Sequence, residues 1–186
     1  YNIVGSECVV FKWSGDMRYG ESKRDLFEKG SIKLHDGKDV EAVVVKDVED
    51  MKNYLINKPR TRIIMVDEVQ FFPKFYEFAN DLIVKGYKIF ATGLLRGFKR
   101  VPFGDTSKLI CLADSVDYRY GVCVTCGNPA TENQRLKLIN NIKEPAHFDD
   151  PLVMVGGKEA YEARCVQDWR LIGEPQLKYN FPKFKG

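Results

Sequence analysis

No apolar run in the 186 residues approaches the length of a membrane span, and the first residues show no succession of basic, apolar and small residues of the secretory kind. A cytosolic protein with no membrane partner is therefore expected. The charge balance is equally unremarkable, because a net +3 is too small to indicate a stable nucleic-acid partner. Only five cysteines are present, and Cys123 and Cys126 form a C-x-x-C pair, which points to metal binding more than to a disulfide framework. There is no internal repeat. The phosphate-binding pattern G-x-x-x-x-G-K-[ST] is missing as well: Gly37-Lys38 and Gly157-Lys158 are followed by Asp39 and Glu159. The chain as written thus has no amide cradle or lysine of that kind for nucleotide phosphates.

What is present is an ordinary globular composition, 44% hydrophobic and 30% charged, on a chain long enough for one cored domain and an appendage. Its most informative stretch is RIIMVDEVQFF, Arg62 to Phe72. The apolar residues read as a short buried strand, and Asp67 and Glu68 follow where that strand ends. In an open parallel sheet, ligands bind beyond the carboxyl ends of the strands. A carboxylate pair there suits phosphoryl transfer, with Asp67 serving Mg²⁺ and Glu68 taking a hydroxyl proton. Taken alone, the same residues also fit a capping Asp and a solvated Glu.

The remainder alternates strands and helices. Cys8 to Phe11 is a strand candidate, preceded by a helix end closed at Gly5, and Asp16 and Arg18 lie just beyond it. Arg18 is suited to clamp a phosphate, and Asp16 to stand near a metal. An Asp36-Gly37 turn is expected between two extended pieces, of which Val43 to Val45 is the better strand. Helical spacing covers Asp47 to Asn57, and again Phe75 to Ile83 with Gly86 closing the helix. Tyr87 to Thr92 is the next strand. The loop Gly93 to Gly104 carries Leu94, Phe98 and Phe103 for a flat ring, with Arg96, Lys99 and Arg100 beside them. Asp105 or Thr106 is expected to cap a helix running through Leu109 and Leu112 to Asp114.

After this the composition changes. A strand is expected over Val116 to Val124, leading into the Cys123-Cys126 knuckle, whose distal partners would be Cys165 and either Asp168 or His147. Thr131 to Met154 is poor in helical periodicity and rich in turn formers, and reads as a long functional loop. Gly156-Gly157 ends it, Tyr161 stands at its foot, and the tail from Lys178 reads as disordered.

In order, DMRYG, VDEVQFF, GLLRGFKRVPFGDTSKLICLADSV, CVTCGNPATENQRL and DPLVMVGGKEAYEARC resemble the zinc-containing type II thymidine kinases over nearly the whole chain. The resemblance implies an α/β fold: a P-loop-kinase-like, mostly parallel sheet with helices over residues 1–115, then a small zinc-ribbon-like domain with a "lasso" loop over residues 116–186. It further implies an ATP-dependent kinase acting on the 5′-hydroxyl of thymidine, structural Zn²⁺, Mg²⁺ with ATP, and a cytoplasmic homotetramer. Glu68 becomes the base, Asp67 and Asp16 stand toward the metal, and Arg18 stands at the phosphates. Phe71, Leu94, Phe98, Phe103, Asn133 and Tyr161 surround base and sugar, and main-chain groups near Met154 to Gly156 read the thymine edge. Zinc falls to Cys123, Cys126, Cys165 and Asp168.

Four departures from the family pattern stand out. The phosphate loop is absent, and the resemblance begins just after the place where the family carries it. A strand, loop and helix start are therefore expected to be missing ahead of Tyr1, and the chain as given is expected to transfer phosphate poorly. Asp168 replaces the usual Cys or His, Leu95 stands where many relatives have Asp, and Asn133 where Thr is usual. The competing reading is a non-catalytic nucleoside-binding or partner subunit of the same descent. Nucleic-acid binding by the knuckle is disfavoured, because basic residues do not cluster on it.

Overall fold

The computed structural model describes residues 7–15, 29–33, 39–153 and 161–174. The chain divides into two compact units, Tyr1–Arg119 and Tyr120–Gly186. The first is a mixed α/β unit. Its sheet is built from β1 (Glu7–Trp13), β2 (Lys29–Lys33), β3 (Asp39–Val45), β4 (Thr61–Val66) and β5 (Lys88–Ala91), in the order β2-β3-β1-β4-β5. β2 runs antiparallel to β3, with Lys33 opposite Asp39, and the other pairs are parallel. The expected Asp36-Gly37 turn lies between these strands but outside the described residues, as do the helix end closed by Gly5 and the tail from Lys178.

The helices form where the spacing predicts them. α1 (Val48–Ile56) starts at Asp47, whose carboxylate accepts from the N–H groups of Glu49 and Asp50. It buries Met51 and Leu55 against Phe11, Ile64 and Val66 of the sheet. α2 (Phe75–Val84) adds Phe75, Phe78, Ala79 and Leu82 to the same cluster, and Gly86 (φ 83°) follows its end. Because every strand residue alternates faces, β4 presents Ile64 and Val66 to this core while its chain end emerges at Asp67.

α3 departs from expectation. It is a single turn, Thr106–Leu109, and Asp105 gives it no side-chain cap. Beyond it the N–H groups of Cys111 and Leu112 bond to residues three back, so the chain tightens into turns instead of continuing as an α-helix. Asp105 is used elsewhere: its carboxylate accepts from Tyr76 N at 3.2 Å, in the first turn of α2, and from Lys108 Nζ at 2.8 Å. α2 has no cap of its own, since its N-cap Lys74 makes no side-chain bond, so a carboxylate from a distant segment takes that place. Burial works against the Asp105 charge, but Lys108 and the N–H groups of Tyr76 and Phe75 outweigh it and hold the carboxyl below its ordinary pKa.

The second unit is all β where described. β6 (Gly121–Val122) pairs with β7 (Pro129–Ala130), and β8 (Glu132–Ile139), β9 (Ile142–Pro145) and β10 (Tyr161–Arg164) form a sheet in the order β10-β8-β9. Two expectations are corrected here. The strand anticipated over Val116 to Val124 is reduced to the two residues of β6. Much of the anticipated long loop is instead the β8–β9 hairpin, turned by Asn140 (φ 50°) and Asn141 (φ 62°), a pair of left-handed residues that joins twisted strands tightly. No helix among the described residues is long and apolar enough to cross a membrane.

The core claim is tested by unfolding in urea. Ile64→Ala, at a fully buried position, is expected to cost about 2–5 kcal/mol, whereas Val84→Ala on the exposed end of α2 stays within about 0.5 kcal/mol.

Candidate functional site

Three parallel strands bring their carboxyl ends side by side, with Phe11 opposite Val66 and Val66 opposite Ala91. The backbone continues this pairing past the strands: Asp67 N donates to Phe11 O, Thr92 N to Val66 O, and Val69 N to Thr92 O. Asp67 is therefore fixed at the mouth of the sheet. Its Oδ1 accepts from Thr92 Oγ1 at 2.5 Å and from Glu68 N at 3.1 Å, while Oδ2 has no donor among the described residues.

Glu68 adopts a left-handed conformation, φ 54° and ψ 51°, and opens a single 3₁₀ turn over Val69–Phe71. A non-glycine residue in that region is held there against a cost of order 1–3 kcal/mol, which is more common at functional sites than elsewhere. The conformation leads the chain from Asp67 directly into that turn. Gln70, 5% exposed, donates from Nε2 to Glu68 Oε2 at 2.5 Å.

An aromatic wall stands beside them. The Phe71 ring stacks on Trp13 at 4.2 Å between centroids and 14° between planes, and meets the edge of Phe103 at 5.5 Å and 85°. The loop that carries Phe103 is a small hairpin of its own, with a bridge from Arg96 to Pro102 and a bond from Phe103 N to Leu95 O. Leu94 of this loop is tied to Gln70 through its N–H, which donates to Oε1 at 3.0 Å. Phe98 is buried, with Lys99 Nζ 5.6 Å from its ring centroid.

In the second unit Cys123, Cys126, Cys165 and Asp168 gather their ligand atoms within 4.8 Å of one another. Asp168 Oδ2 lies 3.2 Å from both Cys123 Sγ and Cys165 Sγ, and Cys126 Sγ is 3.6 Å from Cys165 Sγ. Ligand atoms on a zinc tetrahedron with bonds of about 2.3 Å lie roughly 3.8 Å apart, so the set fits such an ion with little adjustment. Two tight turns build it. Cys123 O accepts from Gly127 N, and Cys165 O accepts from both Asp168 N and Trp169 N. Burial disfavours the Cys123 thiolate, but the N–H groups of Cys165, Cys126 and Thr125 hold its pKa below the ordinary value. Cys126 is pushed up to about 12, chiefly because its thiol bonds to the Asp168 carboxylate. The same thiol bonds, from Cys126, Cys165 and Cys123, hold Asp168 below the usual carboxylate range.

A sequence profile described as "Thymidine kinase" matches residues 1–169. The chain belongs to the thymidine kinase family. It is 39% identical over 172 residues to "Thymidine kinase" of Deinococcus deserti, covering 88% of this chain and 79% of the relative. Against "Thymidine kinase" of Thermococcus kodakarensis it is 39% identical over 164 residues, covering 86% and 77%.

Of the residues expected at a thymidine kinase site, the first unit brings Asp67, Glu68, Phe71, Leu94 and Phe103 around Gln70 and the end of β4. Asn133 and Tyr161 lie in the second unit, on one face of the β8–β10 pair, where Asn133 faces Ala163 and Tyr161 faces Arg135. Asp16, Arg18, Met154 and Gly156 lie outside the described residues. The cysteine cluster takes Asp168, and His147 is not part of it: its Nδ1 accepts from Asp149 N at 3.2 Å. Sequence reasoning did not single out Gln70, Thr92 or Trp13. Their one sequence signal is position, since each stands within two residues of a strand's carboxyl end or of the acidic pair.

Because Cys126 keeps its proton to about 12 without metal, ion binding must expel it. Zinc titrated into the chelator-treated chain is expected to release protons and to bind more weakly as pH falls from about 8 to about 6. Asp168→Ala is expected to weaken zinc by about tenfold or more in a competition titration. Unchanged affinity in Asp168→Ala would remove this carboxylate from the ligand set.

Proposed function

We propose that this chain carries the site of an ATP-dependent thymidine kinase, transferring the γ-phosphoryl group of ATP to the 5′-hydroxyl of thymidine. The observation that carries the reading is the Asp67-Glu68 pair at the end of β4, set beside the Phe71–Phe103 wall in a chain of the thymidine kinase family. Glu68 is the group placed to accept the hydroxyl proton as the oxygen attacks phosphorus and the bond to the departing ADP breaks. Asp67, with Oδ1 held by Thr92 and the Glu68 amide, has Oδ2 left for the metal side. Mg²⁺ bound with ATP supplies charge neutralisation at the phosphates. Arg18 and Asp16 are assigned to the phosphate and metal side by the resemblance alone.

The thymidine ring is expected in a pocket against the aromatic wall of the first unit, and Asn133, Tyr161 and the main chain near Met154 and Gly156 are assigned to the nucleoside by the resemblance alone. Phe71, Leu94, Phe98 and Phe103 supply the apolar side of that pocket. A pocket built on buried backbone donors and acceptors discriminates well, because a wrong base leaves a partner unpaired at a cost of roughly 1–3 kcal/mol. Zinc on Cys123, Cys126, Cys165 and Asp168 has a structural part in this reading, holding the two turns at the base of the β10-β8-β9 unit. A cytoplasmic homotetramer belongs to the same proposal.

The second reading is a nucleoside-binding or partner subunit without turnover. Calorimetry with thymidine, with and without ATP and Mg²⁺, separates the two when phosphate transfer is followed in the same samples. Thymidine binding with phosphate transfer supports the kinase reading, and thymidine binding without transfer supports the second. Where transfer is measurable, Glu68→Gln is expected to lower kcat by about 100-fold or more with little change in thymidine binding. Failure to bind thymidine at all would contradict the kinase reading and the subunit reading together.

A further inference from the structure

We propose that Gln70 is a positioning residue for phosphoryl transfer, fixing the Glu68 carboxylate and the pocket loop Gly93 to Gly104 in one shared geometry. The inference rests on the assignment of Glu68 as the base and deepens it. Gln70 is 5% exposed, and its amide is used at both ends: Nε2 donates to Glu68 Oε2 at 2.5 Å, and Oε1 accepts from Leu94 N at 3.0 Å. The second bond settles the first. A backbone N–H can only donate, so it selects the amide oxygen and leaves the NH₂ group to face the carboxylate.

The surrounding backbone leaves this side chain little alternative. A Cβ at Gly93 would lie 2.6 Å from Gln70 Oε1, and one at Gly104 would lie 2.3 Å from Gln70 O. Gly104 also has φ +55°, which most side chains resist. Both ends of the loop therefore press main chain directly onto Gln70, one on its amide and one on its carbonyl. Between them the loop carries Leu94, Phe98 and Phe103, and Phe103 meets Phe71, the residue after Gln70.

A buried glutamine satisfied only for the sake of the fold would need its two hydrogen bonds and nothing more. Here one bond ends on the carboxylate of a residue held in a left-handed conformation, and the other on the loop that lines the same mouth. A base must sit within hydrogen-bond reach of its proton, so a carboxylate free to rotate loses productive orientations even when its charge is intact. Gln70 removes that freedom and makes the orientation depend on the register of the loop.

The test separates this role from the base assignment. In protein expressed from the full reading frame, kcat and KM for thymidine are measured for the parent, Glu68→Ala, Gln70→Glu and the double variant. Gln70→Glu keeps an oxygen for Leu94 N–H, removes the donor to Glu68 and sets two carboxylates against each other. Its kcat is expected to fall by about tenfold or more while KM stays within about twofold, with little further loss in the Glu68→Ala background. A parent-like kcat in Gln70→Glu, or a loss that adds in full to that of Glu68→Ala, overturns the role of Gln70. A parent-like kcat in Glu68→Ala overturns the base assignment instead. A readout without turnover uses the 186-residue chain: the Gln70 side-chain amide signals in a ¹H–¹⁵N spectrum are expected to move when Glu68→Ala removes their acceptor. Signals that stay in place overturn the proposal, including where Gln70→Glu fails to fold.

Discussion

β4 is held on both edges by parallel neighbours, with Val66 opposite Phe11 of β1 and Ala91 of β5, and the rest of the first unit depends on that double pairing. Parallel strands end on the same side, so three chain ends emerge together and the groups that follow them cannot avoid one another. The hydrogen bonds beyond the strands show the consequence. Asp67 is tied to β1 through Phe11 and to the end of β5 through Thr92, while Val69 returns to Thr92. Polar groups at a sheet mouth would ordinarily be loose and solvated. Here the ladder continues into them, and a carboxylate, a hydroxyl and a strained turn are set by the same bonds that define the sheet.

The second unit reaches order by different means. One buried cluster in it is small, with Cys123, Ala130 and Cys165 together and Ala163 packed beside them. Cys123 and Cys165 also belong to the group of four side chains, with Cys126 and Asp168, that could hold a metal ion. Amides turned on Cys123 hold its pKa below the ordinary thiol value, and the thiols around Asp168 hold its carboxyl below the usual carboxylate range. An ion entering such a site meets one group already ionised, another disposed to ionise, and a Cys126 thiol that must surrender its proton.

Sequence reasoning located the acidic pair, the two main helices and the cysteine knuckle because each carries a local signal. Asp47 precedes a helical spacing, Asp67 ends an apolar run, and Cys123 and Cys126 stand at a ligand spacing. Where the signal is set by distant partners, reading failed. The spacing of Leu109 and Leu112 is helical, but the Asp105 carboxylate is spent on Tyr76 and Lys108, and the turn is left uncapped. Val116 to Val124 has strand-forming residues, yet only Gly121 and Val122 find a partner, in β7. The Asn140-Asn141 pair was a legible hairpin signal, hidden by the polar residues of β9 and by the turn formers around it. Gln70 and Thr92 were invisible for the same reason: nothing in a one-dimensional pattern states that an amide 24 residues before Leu94, or a hydroxyl 25 residues after Asp67, will complete the site.

The central claim is that Glu68 stands where the nucleoside hydroxyl arrives. A structure of the protein with thymidine bound tests it most directly. The account predicts the 5′-oxygen within about 2.6–3.2 Å of the Glu68 carboxylate, with the base against the Phe71 ring. Thymidine bound with its 5′-hydroxyl turned away from Glu68, or away from the end of β4, would contradict it.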